Sequence, residues 1–325
     1  MKKSPASKTP ESTGFDFLGR SALFFLISTA LVGGSLALTA IFGLRAGIDF
    51  SGGTLWEVRF EEGTVDRDGL REILLPAGEE ISKTRGEKAA ELSFANAPIQ
   101  PVDGGAFLLR FAEVSQEEKK VLTASLDARG GWEELRWQSI GPTVGNEMRR
   151  KALTAVGLAV AAIVFFVAWA FRGMPAGISG WRFGWVAVAA LLHDLAITVG
   201  AFALFGQLFG VEIDLLFVTA LLVVFGYSVN DTIVVFDRLR ENLRKTRGLR
   251  PLKEVANSAL NETFRRSVFT SLTTLATLLF LFLFGGESIR WFVAALLVGV
   301  GAGTYSSIFF ATPLLVFWEG KRKKN

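Results

Sequence analysis

Residues 215–236, LLFVTALLVVFGYSVNDTIVVF, make an apolar run of 22 residues, long enough as a helix at about 1.5 Å per residue to cross a bilayer. Asn230 and Asp231 lie inside it. An aspartate near the centre of a membrane helix costs roughly 2.5–3.5 kcal/mol, so a chain that keeps one turns it into a bundle or a wet cavity. Two readings follow. Asp231 is either a buried polar residue that pins packing near a span end, since charged residues resume at Asp237, or a proton- or ion-responsive site.

The run is one of six. The others cover residues 21–43, 152–171, 184–206, 267–284 and 291–317. Half of the 325 residues are hydrophobic, 29 are Phe, and the mean hydropathy is +0.38, which places the chain among integral membrane proteins. Cysteine is absent and there is one His, so thiol chemistry is excluded and a metal centre is not expected. The net charge of +4 does not point to nucleic acid, because the basic residues sit between apolar runs rather than along a soluble face.

The expected organisation is a disordered cytoplasmic tail over 1–20, a first transmembrane helix over 21–43, an extracytoplasmic domain over 44–148, and five further transmembrane helices over 149–318. A cytoplasmic segment lies within these at 237–266, and a basic tail follows at 319–325. Thr29, Gly33 and Ala37 give the first span a small-residue seam for another helix. Between the first two spans the pattern reads as strand 54–60, helix 65–75 stopped by Pro76, strands 89–94 and 106–111, helix 116–128 opened by a capping box at Ser115 to Glu118, and strand 133–140. That β-α-β-β-α-β order is the ferredoxin-like pattern, so the fold class is an α-helical membrane protein with six transmembrane helices plus a small α/β domain.

Basic residues set the orientation. Lys2, Lys3, Lys8 and Arg20, then Arg172 and Arg182, then nine Lys or Arg within 237–266, then Lys321 to Lys324 all fall on one side of a six-span arrangement. Both termini are therefore expected in the cytoplasm, against a local exception at Arg149, Arg150 and Lys151.

Besides Asp231 and Asn230, three groups could carry chemistry. His193-Asp194 lies mid-span, where an ionisable pair is costly unless it faces protein or water; the His reads as a packing residue or a proton relay. Arg265 and Arg266 enter the fifth span at the face that Asp231 approaches, and an arginine beside that carboxylate would favour its charged form. The alternative is a pair of lipid-anchoring arginines. Ser267, Thr270, Ser271, Thr274 and Thr277 recur along the fifth span at three- and four-residue spacing, as a hydrated path or as helix-packing hydroxyls. Gly299 and Gly303 read as a packing seam. In GIDFSGGT, with Asp49, Gly52 and Gly53, no GK[ST] ending follows, so it is a turn into the ectodomain and not a phosphate loop.

GIDFSGGT at 47–54, HD at 193–194, GYSVNDTIVVFDRLREN at 226–242, TFRRSVFTSLTTL at 263–275, LFGG at 283–286 and GTYSSIFFATPL at 303–314 together closely resemble the SecF family. These are the smaller subunits of the bacterial SecD-SecF protein-export complex, related to the resistance-nodulation-division transporters. The resemblance covers the chain beyond its N-terminal tail. It implies no enzyme but a subunit that uses the proton motive force to promote preprotein translocation across the cytoplasmic membrane, with SecD, the SecYEG channel and YajC as partners, lipids around it, no nucleic acid, and no cofactor other than protons as the coupling ion. It matches Asp231 to the family's fourth-span aspartate and Arg266, ahead of Arg265, to its fifth-span arginine. The alternatives are a proton-coupled exporter of a small molecule or lipid and a structural scaffold for a channel. Single-cysteine labelling tests the topology: reagent confined to the outside should reach positions between 46 and 147 and miss position 248, and outside labelling at 248 would break the six-span arrangement.

Overall fold

The computed structural model describes residues 14–61, 64–85, 99–102, 104–175, 178–247 and 249–322. The chain divides into two compact units, residues 46–154 and the remainder.

In the smaller unit, a short helix α2 (Ile48–Ser51) precedes β1 (Gly53–Phe60), α3 (Arg67–Arg85), β2 (Ile99–Val102), β3 (Ala106–Phe111), α4 (Gln116–Asp127) and β4 (Trp132–Ile140). The sheet order is β2-β3-β1-β4 with every neighbouring pair antiparallel. Alternation along β1 sends Trp56, Val58 and Phe60 to one face, where they meet Leu70, Leu74 and Ile81 of α3 and Leu122 and Leu126 of α4. Trp56 is fully buried, and its Nε1 donates to Glu134 on β4 at 3.0 Å, which removes the cost of an unpaired indole N–H. Gly52 and Gly53 hold φ of +74° and +123°, and a Cβ on either would come within 2.9 Å of backbone at Pro142 or Phe111. Only glycine fits that turn between α2 and β1.

One boundary differs from expectation. Pro76 does not stop α3, which runs on to Arg85. A proline in a helix interior costs about 3 kcal/mol, but Ala77, Gly78 and Ile81 beyond it are buried on the face that carries Leu70 and Leu74, and burying one large aliphatic side chain returns about 1.5–3 kcal/mol. The strand expected at 89–94 lies outside the described residues. The capping box forms as expected: Glu118 N donates to Ser115 Oγ and Ser115 N to Glu118 Oε2.

The larger unit holds α1 (Ser21–Phe42), α6 (Gly180–Phe209), α7 (Leu215–Lys245), α8 (Leu252–Phe284), α9 (Glu287–Ser306), a π-helical segment (Ser307–Ala311) and α10 (Thr312–Arg322); α5 (Pro142–Ala170) begins in the smaller unit and continues into this one. Six helices among the described residues are long and apolar enough to cross a membrane, the last being the continuous Glu287–Gly320 stretch. The chain is a multi-pass membrane protein. The segment over 237–266 between the fourth and fifth apolar runs is largely helical, because α7 and α8 extend beyond their apolar parts. Leu239 and Leu243 of α7 and Val255, Ala256, Ala259 and Leu260 of α8 are buried in one cluster, while the ion pair Glu241–Lys245 and the pairing of Arg238 with Glu241 and Glu262 line the outer side.

α1 corrects a second expectation. Thr29, Gly33 and Ala37 face outward, and the helix packs through Phe24, Ser28 and Ser35 instead. At Gly200 of α6 a Cβ would stand 2.5 Å from Ser35 Cα, so glycine lets the two backbones meet. Small residues on two faces of a uniformly apolar helix carry no mark of which face is inner.

In the smaller unit Arg85 Nε and Nη2 each donate to Glu118 at 2.5 Å, and Nη2 also donates to the Glu113 carbonyl. These bonds from Arg85 hold the Glu118 carboxyl down at about 2 from an ordinary 4.5. A depressed folded value means stability present above pH 4.5 and lost as pH falls toward 2. Residues 46–154 expressed alone should melt cooperatively with a mixed α/β spectrum. Glu118→Gln should cost about 2 kcal/mol at pH 7 in urea melts, with wild type and variant converging near pH 2; a pH-independent gap would refute the assignment.

Candidate functional site

Two buried carboxylates meet serine hydroxyls inside the larger unit. Asp194 on α6 is fully buried. Its Oδ2 accepts from Ser228 Oγ of α7 at 2.6 Å and Ser306 Oγ of α9 at 2.9 Å, and its Oδ1 lies 3.0 Å from His193 Nδ1. The imidazole is stacked between Tyr305 and Phe310, with its Nε2 buried and lacking a hydrogen-bond partner among the described residues.

Asp231 lies on α7 three residues beyond Ser228, so both point to the same side of that helix. It is 8% exposed and accepts from Ser307 Oγ at 2.5 Å. Ser306 and Ser307 are adjacent at the junction of α9 and the π segment. One strand of backbone thus hands a hydroxyl to each of two buried carboxylates carried by different helices.

Gly299 and Gly303 make this possible. Val224 side-chain atoms would stand 2.3 Å from a Cβ on Gly299, and Ser228 Cβ 2.9 Å from one on Gly303. Glycine at both points brings α9 onto α7 at the level of Ser228. The packing seam read from the sequence therefore also positions the site.

The fifth-span residues divide. Ser267 and Ser271 are buried and Thr274 is half-buried, whereas Thr270 and Thr277 face outward. Tyr227 of α7 donates to Ser271 at 3.2 Å, with Thr274 Oγ1 at 3.4 Å, so a line of hydroxyls runs between α7 and α8. Thr274 and Thr277 also return their hydroxyls to carbonyls of their own helix. Asn230 faces outward and is not part of the cluster around Asp231. Arg265 and Arg266 are exposed on α8; Arg265 lies over the Phe269 ring at 5.3 Å, and neither arginine is among the described partners of Asp231. Asp49 accepts from Gln138 Nε2 at 3.2 Å beside the Gly52-Gly53 turn.

Sequence reasoning missed Tyr227, Ser228, Ser306 and Ser307. A signal for the serines exists: Ser228 stands three residues from Asp231, and Ser306-Ser307 is an adjacent hydroxyl pair inside an apolar span.

The family model of protein export membrane protein SecD/SecF, C-terminal, matches residues 120–321, a range that contains every helix of this cluster. The protein translocase subunit SecF of Thermobaculum terrenum is 43% identical over 303 residues, covering 92% of each chain. The chain belongs to the SecF family. A second SecF member, from Anaerolinea thermophila, is 37% identical over 313 residues, covering 95% of this chain and 96% of its own. The crystal structure of SecDF, a translocon-associated membrane protein from Thermus thermophilus, superposes with a TM-score of 0.78 at 32% identity. That match covers 96% of this SecF-family chain and 40% of the SecDF chain.

The close approach of α9 to α7 is testable by itself. Val224 is buried at the contact, so Gly299→Ala should destabilise the folded chain by about 1–3 kcal/mol in detergent unfolding. Adding Val224→Ala should restore most of the loss; an unaffected Gly299→Ala protein would refute this packing.

Proposed function

We infer that the chain is a proton-coupled subunit of the protein-export machinery, acting with SecD and the SecYEG channel, and with YajC, to promote preprotein translocation across the bacterial cytoplasmic membrane. In this reading both termini are cytoplasmic, residues 44–148 form an extracytoplasmic ferredoxin-like domain that acts on the emerging chain, and the remaining helices face SecD or lipid. The names of the relatives, protein translocase subunits, favour a polypeptide substrate over a small molecule. The likeness to one SecDF chain of more than twice the length favours SecD as partner.

The observation that carries proton coupling is the setting of Asp231. A carboxylate in an apolar helix, held by a single serine hydroxyl with no cation among its described partners, is placed to be neutral when protonated without losing its neighbour. Burial favours the neutral form of a carboxyl group, and approach of a guanidinium favours the charged form, each by one to several pKa units. Arg266 sits on the adjacent helix α8. Movement of α8 relative to α7 would exchange the serine-held state for an arginine-held one and so load or release a proton. A membrane potential of 100 mV adds about 2.3 kcal/mol per charge crossing it, enough to bias such an exchange.

Asp231→Asn should abolish the dependence of export on the proton gradient while leaving assembly with SecD intact. Asp231→Glu should keep part of it. Arg266→Lys should weaken it, because an ammonium lacks the planar fork that grips a carboxylate. Translocation into inverted vesicles, with and without an uncoupler, measures all three; a normal rate and normal uncoupler sensitivity in Asp231→Asn would exclude this role.

A further inference from the structure

We propose that His193 and Asp194 form a second proton-binding site, holding one proton between them with an affinity set by the charge on Asp231, to which Ser306 and Ser307 link it. Asp194 is fully buried and His193 nearly so, and their side chains meet at 3.0 Å. A bare carboxylate in such a place is costly unless a positive charge or a proton accompanies it. With one proton the pair carries no net charge, as carboxylic acid and neutral imidazole or as carboxylate and imidazolium. The imidazole Nε2 is a buried ring nitrogen with no described partner, and so is free to take that proton.

Among the described residues, no cation is a hydrogen-bond or ring partner of the pair. From α7 the pair meets Ser228, with Asp231 one turn on; from α9 it meets Ser306 and Tyr305, the latter reached in turn by Ser28 of α1; and from the π segment it meets Phe310, while Ser307 there reaches Asp231. Tyr305 is itself engaged, donating to the Phe24 carbonyl at 3.0 Å. On α6 the nearest cation is Arg182, twelve residues or roughly 18 Å along the axis, and Glu319 of α10 pairs with it. Asp231, one turn along α7 from the serine that Asp194 accepts from, is therefore the charged group to which we link the pair.

The serines give the two sites a shared mechanical element. A hydroxyl has one proton to donate. Ser306 Oγ has two acceptors in reach, Asp194 Oδ2 at 2.9 Å and the Gly303 carbonyl at 3.2 Å; Ser307 Oγ likewise has Asp231 Oδ2 at 2.5 Å and the Thr304 carbonyl at 3.1 Å. Each serine can donate to its carboxylate when that is charged, and turn to its own helix and accept when the carboxyl is protonated. Both sites can thus change protonation in place, and the hydroxyls that respond are on consecutive residues. A negative Asp231 favours a proton on the pair, and a neutral Asp231 weakens its hold.

The inference rests on the reading that Asp231 changes charge, but its test does not require export. The chain has one histidine, so ¹⁵N-histidine labelling of the full chain, purified without a histidine tag and placed in lipid vesicles, gives the signals of His193 alone. Those signals should show a titration step that Asp194→Asn removes or displaces and that Asp231→Asn moves down by about one pH unit or more. Ser307→Ala, which retains Asp231 but deletes the donor that favours its charged form, should move the step in the same direction. Ser306→Thr, which keeps the hydroxyl, should leave it in place. An imidazole that titrates identically in wild type and Asp194→Asn, or that is unmoved by both Asp231→Asn and Ser307→Ala, would overturn the proposal. Export into inverted membrane vesicles carrying the same variants separates the two ideas: a moved step with unchanged gradient dependence would retain the second site and sink the coupling role of Asp231.

Discussion

Two carboxylates inside an apolar helix bundle must be met by donors from neighbouring helices, and the arrangement of the larger unit follows from that requirement. Asp194 brings in α7 through Ser228 and α9 through Ser306; Asp231 brings in the π segment through Ser307. Serine is short, so its hydroxyl reaches a carboxylate only if the backbones are close. Gly299 and Gly303 provide that closeness by removing the side chains that Val224 and Ser228 would strike. The π-helical turn belongs to the same solution. A π turn advances less rotation per residue than an α turn, so residues around it are re-aimed relative to a regular helix, and such turns recur at functional sites. Here it begins at the residue that meets Asp231.

The smaller unit rests on a different balance. Its sheet and two helices bury one apolar face, with Trp56, Leu70, Leu109 and Leu122 at the centre, as a water-soluble domain does. Its charged contacts are paired at the edges, where Arg85 grips Glu118 in two bonds and the same carboxylate caps α4. One side chain thereby ties the end of α3 to the start of α4. The absence of cysteine is consistent with a fold held by packing and by such pairs, without covalent bridges.

Much of this was legible in the sequence because the signals were periodic. Alternation marked β1 and β3, the Ser115–Glu118 box marked the start of α4, and six apolar runs marked the spans. The misses have physical causes. Pro76 looks like a stop because local chemistry disfavours proline in a helix, whereas the helix beyond is held by burial against a sheet that no local window contains. Apolar character ends before α7 and α8 do, because a helix continues into polar surroundings when its own side chains pair and its inner face packs. In the site, the ionisable residues stood out because charge is rare in a span. Their hydroxyl partners did not, since serine and threonine are common in membrane helices and only the fold shows which of them meet a carboxylate.

The spans also differ in how firmly they are held. In α6, α7 and the last span at least half of the most apolar stretch is buried within the chain, against 11% in α8. The helices that carry Asp194, Asp231 and the two serines are thus the fixed ones. α8, which carries both arginines, touches the rest mainly along its polar half, where Val255, Ala256, Ala259 and Leu260 are buried and Asn257 and Asn261 bond to the backbone of Phe15 and Leu18. Along its apolar half Val268 and Leu278 are partly buried against the bundle and Ser271 meets Tyr227, but most of that stretch is not buried within the chain. A helix gripped at one end and lightly held at the other can swing about the gripped end at small energetic cost, since few packed side chains must be separated. Arg265 and Arg266 follow Thr263, the last buried residue of that polar half, and a carboxylate in a low-dielectric site responds to the position of a cation. The proposed exchange at Asp231 therefore places the moving part on the span with the smallest buried share, while the serine-linked carboxylates stay on the helices that packing holds.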